Sequence, residues 1–130
     1  MKKILLVDDQ PHIIRLMRLS LERNGYKTDI AFNGKDAFMK LKASYYDVLI
    51  TDVEMPHMDG RQLCDALRLE LPAPRPYIFV ITAKTELDLR DWIEKIEDAE
   101  LLEKPVSLKN LLVKLEAYFS GIEHKREAAS

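Results

Sequence analysis

The sequence predicts an α/β domain, a doubly wound (βα)₅ sandwich with a central five-stranded parallel sheet. Two features predict it. Short aliphatic and β-branched runs alternate with longer segments of helical period. The runs are also continuously apolar rather than alternating, as strands are when helices cover both faces of a parallel sheet. A chain of 130 residues with 47% hydrophobic content suits one domain with a real core and is too short for two.

The first strand is "ILLV" at 4–7, followed by a helix with Ile13, Met17 and Leu21 on one face. Pro11 suits the first turn of that helix, where its missing N–H costs nothing, and Asn24-Gly25 closes it. The second strand is "TDIAF" at 28–32, and Asn33 is placed to cap the second helix. The third strand is "DVLI" at 47–50, and Leu63, Cys64 and Leu67 give the apolar pattern of the helix after it. The proline-dense "LPAPRP" at 71–76 ends that helix and reads as a loop rather than a domain linker. The fourth strand is "YIFVI" at 77–81, and Leu89, Trp92 and Ile93 follow on the fourth helix. "AELL" at 99–102 is a weak fifth strand, and Leu108, Leu111, Leu112, Leu115 and Phe119 mark the fifth helix. Residues 1–120 form the expected domain. The polar stretch 121–130 is expected to fray as a tail or as the start of a linker.

Lys and Arg total 20 against 22 for Asp and Glu, so no bulk positive charge invites nucleic acid or an anionic membrane. No apolar run approaches the roughly 20 residues of a membrane span. With a single cysteine there is no internal disulfide, and the chain opens directly into a strand without a signal-type segment, so a reducing cytoplasm is the expected location. His12, His57 and His124 share no metal-ligand spacing and read as surface residues.

Ligands of such folds sit outside the carboxyl ends of the strands, so the residues that end each run carry the functional information. Strand one ends at Asp8-Asp9, strand three at Thr51-Asp52 and strand four at Ile81-Thr82, while strand five leads into Glu103-Lys104-Pro105. Taken singly, Asp8 and Asp9 read as a capping pair before Pro11, Lys104 as a solvated lysine and Thr82 as a strand-end residue. Taken together they put three carboxylates, a hydroxyl and an amine on one edge. Like charges held that close repel, and a hard cation such as Mg²⁺ would offset them. A cation, carboxylate and ammonium set is also what holds a phosphoryl group in transfer.

These residues carry a resemblance to a known family. "LLVDDQ", "DVLITDVEMPHMDG" at 47–60, "VITA" at 80–83 and "EKPV" at 103–106 stand in the order and at spacings compatible with the receiver domain of two-component response regulators, which the chain resembles over residues 2–120. The resemblance implies a flavodoxin-like fold and a signalling domain that assists its own phosphorylation and dephosphorylation, rather than an enzyme. Asp52 would accept a phosphoryl group from a histidine kinase or phosphotransfer protein. Asp9 and Asp52 would bind Mg²⁺ directly with the backbone carbonyl of Glu54, and Asp8 through water. Thr82 and Lys104 would grip the phosphoryl oxygens, and the surface of helix four, strand five and helix five would signal to a partner, an output domain or a second copy. The domain itself would bind neither nucleic acid nor membrane. Pro105 would fix the backbone that aims Lys104, through a trans or a cis bond. In "MPHMDG", Pro56 and Gly60 mark a shaped loop, with Gly60 supplying backbone angles other residues resist.

The chain departs from the family pattern at several places. Leu101 stands where many receivers carry a Tyr or Phe that turns inward on activation, and Val106 follows Pro105 in place of the common Phe. Asn110 and Lys114 stand where one large DNA-binding subfamily carries Glu and Arg. Glu54 and Lys84 occupy positions that tune hydrolysis in the family, and could pair across the mouth of the site. Two rivals come from other classes. A haloacid-dehalogenase-like phosphatase needs a second acid two residues after its nucleophile, and Glu54 supplies one but runs into a Met-Pro turn. A phosphorylation-silent docking receiver would have lost the acceptor, the lysine or the acidic pair, and none is lost. Nucleotide binding fails sooner, for want of a glycine-rich phosphate loop after strand one.

Overall fold

The structure is a computed structural model that describes residues 1–83 and 87–129, with side chains described through residue 122. Five strands and five helices alternate: β1 Lys3–Val7, α1 Pro11–Arg23, β2 Lys27–Ala31, α2 Gly34–Ala43, β3 Val48–Asp52, α3 Gly60–Glu70, β4 Tyr77–Thr82, α4 Leu87–Glu94, β5 Ala99–Glu103 and α5 Leu108–Ala129. All strand pairs are parallel, in the order β2-β1-β3-β4-β5. The chain winds outward in both directions from the β1/β3 pair, so the switch point falls between those two strands.

Side chains of successive strand residues point to opposite faces, and each face meets its own helices. Leu5, Val7, Leu49, Ile78 and Val80 pack with Phe38 and Leu41 of α2, Leu63, Cys64 and Leu67 of α3, and Ile93 of α4. Ile4, Leu6, Ile50, Phe79 and Ile81 pack with Ile14, Met17 and Leu21 of α1, and with Leu111, Leu115 and Phe119 of α5. The two-sided covering explains why the strands read as unbroken apolar runs. Cys64 is fully buried, and burial pushes its thiol up to about 12, so it is an inert core residue.

The helix ends follow the punctuation of the sequence. α1 closes with Gly25 N–H donating to Glu22 O and Tyr26 N–H to Leu21 O, a Schellman closure that needs the positive φ of 88° at Gly25. Asn33 accepts the Asp36 N–H at the start of α2. Asp59 and Gln62 form a reciprocal capping box on α3, a signal not read from the sequence. α3 stops at Glu70, before the prolines. The backbone of α5 continues as helix past Gly121 to Ala129 rather than fraying there. Glu, Lys, Arg and Ala are good helix formers, and one glycine costs only about 1 kcal/mol against them.

Candidate functional site

The site lies at the carboxyl end of the β1/β3 pair. Val7 pairs with Thr51 across those strands, so the next residue of each, Asp8 and Asp52, emerges side by side. Asp8 and Asp52 are buried and Asp9 is exposed, and carboxylate oxygens of all three lie within 4.8 Å of one another. Asp8 also accepts the Gln10 N–H at 2.9 Å. The capping reading of the pair does not hold, because the residue at the N-cap of α1 is Gln10 and α1 has no side-chain cap bond.

From the other side, Lys104 Nζ donates to Asp52 Oδ2 at 3.1 Å. Its position is set by backbone: Lys104 N–H donates to Thr82 O at 2.8 Å, and the Lys104–Pro105 bond is cis. Asp52 Oδ1 is buried and has no hydrogen-bond partner among the described residues. Thr82 is fully buried, and its hydroxyl donates to Glu54 Oε1 at 3.3 Å. Asp8, Asp9, Asp52 and Lys104 therefore meet at one locus, with Thr82 beside it through Glu54 and the Lys104 backbone, whereas Glu103 turns away to pair with Arg90 at 2.9 Å. Lys84, the expected partner of Glu54, lies outside the described residues, as does the side chain of His124.

Burial is the largest influence on Asp52 and lifts its carboxyl above the usual range; Lys104 offsets part of this, while Asp8 and Glu54 add to it. Burial lifts Asp8 in the same direction. Burial alone would lower Lys104, but its bond to Asp52 and the charges of Asp52, Asp8 and Glu54 raise it. The acids are thus more numerous than one ammonium can compensate. An all-oxygen donor set with an orphaned buried carboxylate oxygen fits a hard divalent cation such as Mg²⁺.

The loop from Val53 to Asp59 departs from expectation. Gly60 opens α3 and has no left-handed φ; it is glycine because a Cβ there would overlap Asp52 O. The left-handed residue is His57, at φ 69°. Nothing in "MPHMDG" distinguishes these two causes, because close approach between distant backbones leaves no local sequence signal.

Two further features escaped sequence reading. An apolar groove of about 540 Å³ meets the site at Asp8 and Lys104 and is lined by Ile13, Leu16, Val106 and Leu108. α4 is tied to α3 by polar contacts: Arg61 pairs with Asp88 at 3.1 Å and lies over the Trp92 ring, whose Nε1–H donates to Asp65 at 3.1 Å. Trp92 is half-buried and packs against the core while carrying these polar contacts.

Comparison with known proteins gives one consistent answer. The model of the response regulator receiver domain matches residues 4–116. The response regulator ArlR of Staphylococcus saprophyticus is 30% identical over 119 residues, covering 90% of this chain and 52% of ArlR. The chain thus spans about half the length of the curated relatives it matches. Among solved structures, a CheY-like receiver domain protein of Methanospirillum hungatei superposes with a TM-score of 0.85 at 26% identity, covering 96% of this chain and 98% of that one. The response regulator TrrA of Thermotoga maritima, solved with Mg²⁺-BeF, gives a TM-score of 0.76 at 32% identity, covering 90% of this chain and 98% of that one.

Proposed function

The chain belongs to the response regulator receiver domain family, a family of signalling domains, and on that premise we propose that it accepts a phosphoryl group on Asp52 from a histidine kinase or phosphotransfer protein. The observation that carries this reading is the asymmetry of Asp52. One oxygen is held by Lys104, and the other is buried, without a partner among the described residues, and beside two more carboxylates.

In the step, an Asp52 carboxylate oxygen forms the bond to phosphorus while the phosphorus–nitrogen bond of a phosphohistidine breaks, and the imidazole leaves with the bonding pair and takes up a proton. A carboxylate is a weak nucleophile toward an anionic centre, so the catalytic contribution is positioning and charge neutralisation. Asp9, Asp52 and the Glu54 carbonyl would hold Mg²⁺ directly, with Asp8 acting through water. The ion supplies neutralisation of the transferring oxygens. Lys104, a compact ammonium, can contact Asp52 before transfer and a phosphoryl oxygen after it. The Thr82 hydroxyl would exchange Glu54 for a phosphoryl oxygen and draw the face of α4, β5 and α5 with it, towards an output domain, a target protein or a second copy. A cytoplasmic location suits this role, and no helix among the described residues is long and apolar enough to cross a membrane.

Incubation with Mg²⁺ and acetyl phosphate, read by intact mass, tests the assignment. Wild type should gain one phosphoryl group and Asp52→Asn none; equal labelling of the two would overturn it.

A further inference from the structure

The loop after Asp52 holds a backbone that is costly by itself. Met58 N–H donates to Pro56 O at 2.8 Å, closing a γ-turn around His57 at φ 69°. Positive φ is uncommon outside glycine, and γ-turns with positive φ are rare and strained. Such a conformation persists only where its surroundings over-determine it.

Two contacts do so here. Gly60 N–H donates to Val53 O at 2.9 Å, closing the loop on itself. The other contact comes from outside. Gly34, the first residue of α2, donates its N–H to Met58 O at 3.1 Å. A Cβ at Gly34 would overlap Met58 O and lie 2.9 Å from both Cβ and Cγ of Met58. Gly34 has no left-handed φ, so glycine is required there for space and not for conformation. Asn33, by capping the same turn through Asp36 N–H at 2.8 Å, fixes the backbone that makes this contact.

We propose that Gly34 is a positioning residue for the phosphoacceptor site: the start of α2 buttresses Met58, holds the strained turn closed, and so fixes the backbone of Asp52 to Glu54 in register for the cation. The inference rests on the reading of that loop as part of a Mg²⁺ site. Gly34 touches neither Asp52 nor the cation and acts only through Met58.

Isothermal titration of Mg²⁺ into the whole chain tests it, with circular dichroism as the check of folding. Groups bonded directly to metal ligands are worth about 10–100-fold in affinity, so Gly34→Ala, acting one step further out through Met58, should weaken Mg²⁺ binding by up to about tenfold while the protein stays folded. Asn33→Ala, which loosens the turn without adding a Cβ, should weaken it less. Because glycine accepts positive φ without strain, the loss caused by Gly34→Ala should shrink several-fold in a His57→Gly background. A general loss of stability would not respond to His57→Gly. Unchanged Mg²⁺ affinity in folded Gly34→Ala, or the same loss in both backgrounds, overturns the proposal. Should Gly34→Ala fail to fold, Asn33→Ala decides, and unchanged affinity there overturns it. Wild type that neither binds Mg²⁺ nor labels with acetyl phosphate would instead sink the functional reading, and the buttress with it.

Discussion

Lys104 Nζ and Asp52 Oδ2 meet at 3.1 Å from two strands that are not neighbours, with β4 running between them. The contact is assembled by register. Asp52 pairs with Ile81, Thr82 pairs with Glu103, and Lys104 follows immediately. These strands thus run out at nearly the same height, and Asp8, Asp52, Thr82 and Lys104 follow one or two residues past the last apolar position of each.

The pair should show strong coupling in metal-free protein. Lys104→Met leaves a buried carboxylate without its cation, which costs about 1–3 kcal/mol for an unsatisfied buried group. In an Asp52→Asn background the same substitution should cost much less, since the carboxylate that Lys104 bonds is gone. Urea melts of the four proteins in EDTA measure the coupling, and additive effects would mean that the pair is too solvated to matter.

The contribution of Asp8 and Asp52 to metal-free stability should fall as pH rises from the ordinary carboxylate value through their raised values, and stay level above them. The Asp8 and Asp52 carboxyls are raised in the folded state, so between the unfolded and folded values the native protein holds protons that the unfolded chain has lost. The cost of ionising them in the folded state therefore builds across that window and is complete above their raised values. Thermal melts in EDTA from pH 4 to 8 should show Asp52→Asn gaining on wild type as pH increases. Added Mg²⁺ should raise wild type and leave Asp52→Asn nearly unmoved. A stability difference that stays flat with pH would show that burial does not govern these carboxyls.

Trp92 should report on α4. It is the sole tryptophan, half-buried, with Asp65 accepting its Nε1–H and Arg61 over its ring. If phosphorylation moves α4 relative to α3, both contacts change, and the emission maximum and intensity should shift on adding beryllofluoride with Mg²⁺. Arg61→Ala should reproduce part of that shift without beryllofluoride. Emission insensitive to both would place the motion elsewhere.

How much of this was legible in the sequence follows from where each signal resides. The inner strands β1, β3 and β4 and the polar cluster beyond their ends were readable because a strand buried on both faces must be apolar throughout, so Asp8, Asp52 and Thr82 stand out where those runs stop, while the edge strands β2 and β5 carry polar residues and read more weakly. Parallel register does the rest. What could not be read depends on approach between distant backbones. Gly60 gives way to the Asp52 carbonyl, and Gly34 to Met58, yet a glycine needed for room looks like one needed for conformation. His57 carries the positive φ with no glycine or asparagine to announce it. The α3–α4 ties join Arg61, Asp65, Asp88 and Trp92 at distances that helical period alone does not fix.

Thr82 is the group through which the signal should leave the site. Its hydroxyl is fully buried and bonded to Glu54, an exposed carboxylate that water can serve equally well. A phosphoryl oxygen on Asp52 would offer the hydroxyl a buried charged acceptor worth about 1.5–3 kcal/mol, against a 3.3 Å contact to a carboxylate that solvent already screens. Leu101 is half-buried and offers no polar atom to the new charge, so on the proposed reading Thr82 would carry the switch. A ligand shifts a two-state equilibrium only by its differential affinity for the two states. Thr82→Ala should therefore take phosphate yet shift little, while Glu54→Gln, a weaker competitor for the hydroxyl, should shift more readily than wild type. Backbone NMR with Mg²⁺ and beryllofluoride separates the cases through α4 and β5. The full wild-type shift pattern in Thr82→Ala would show that the hydroxyl is not the trigger.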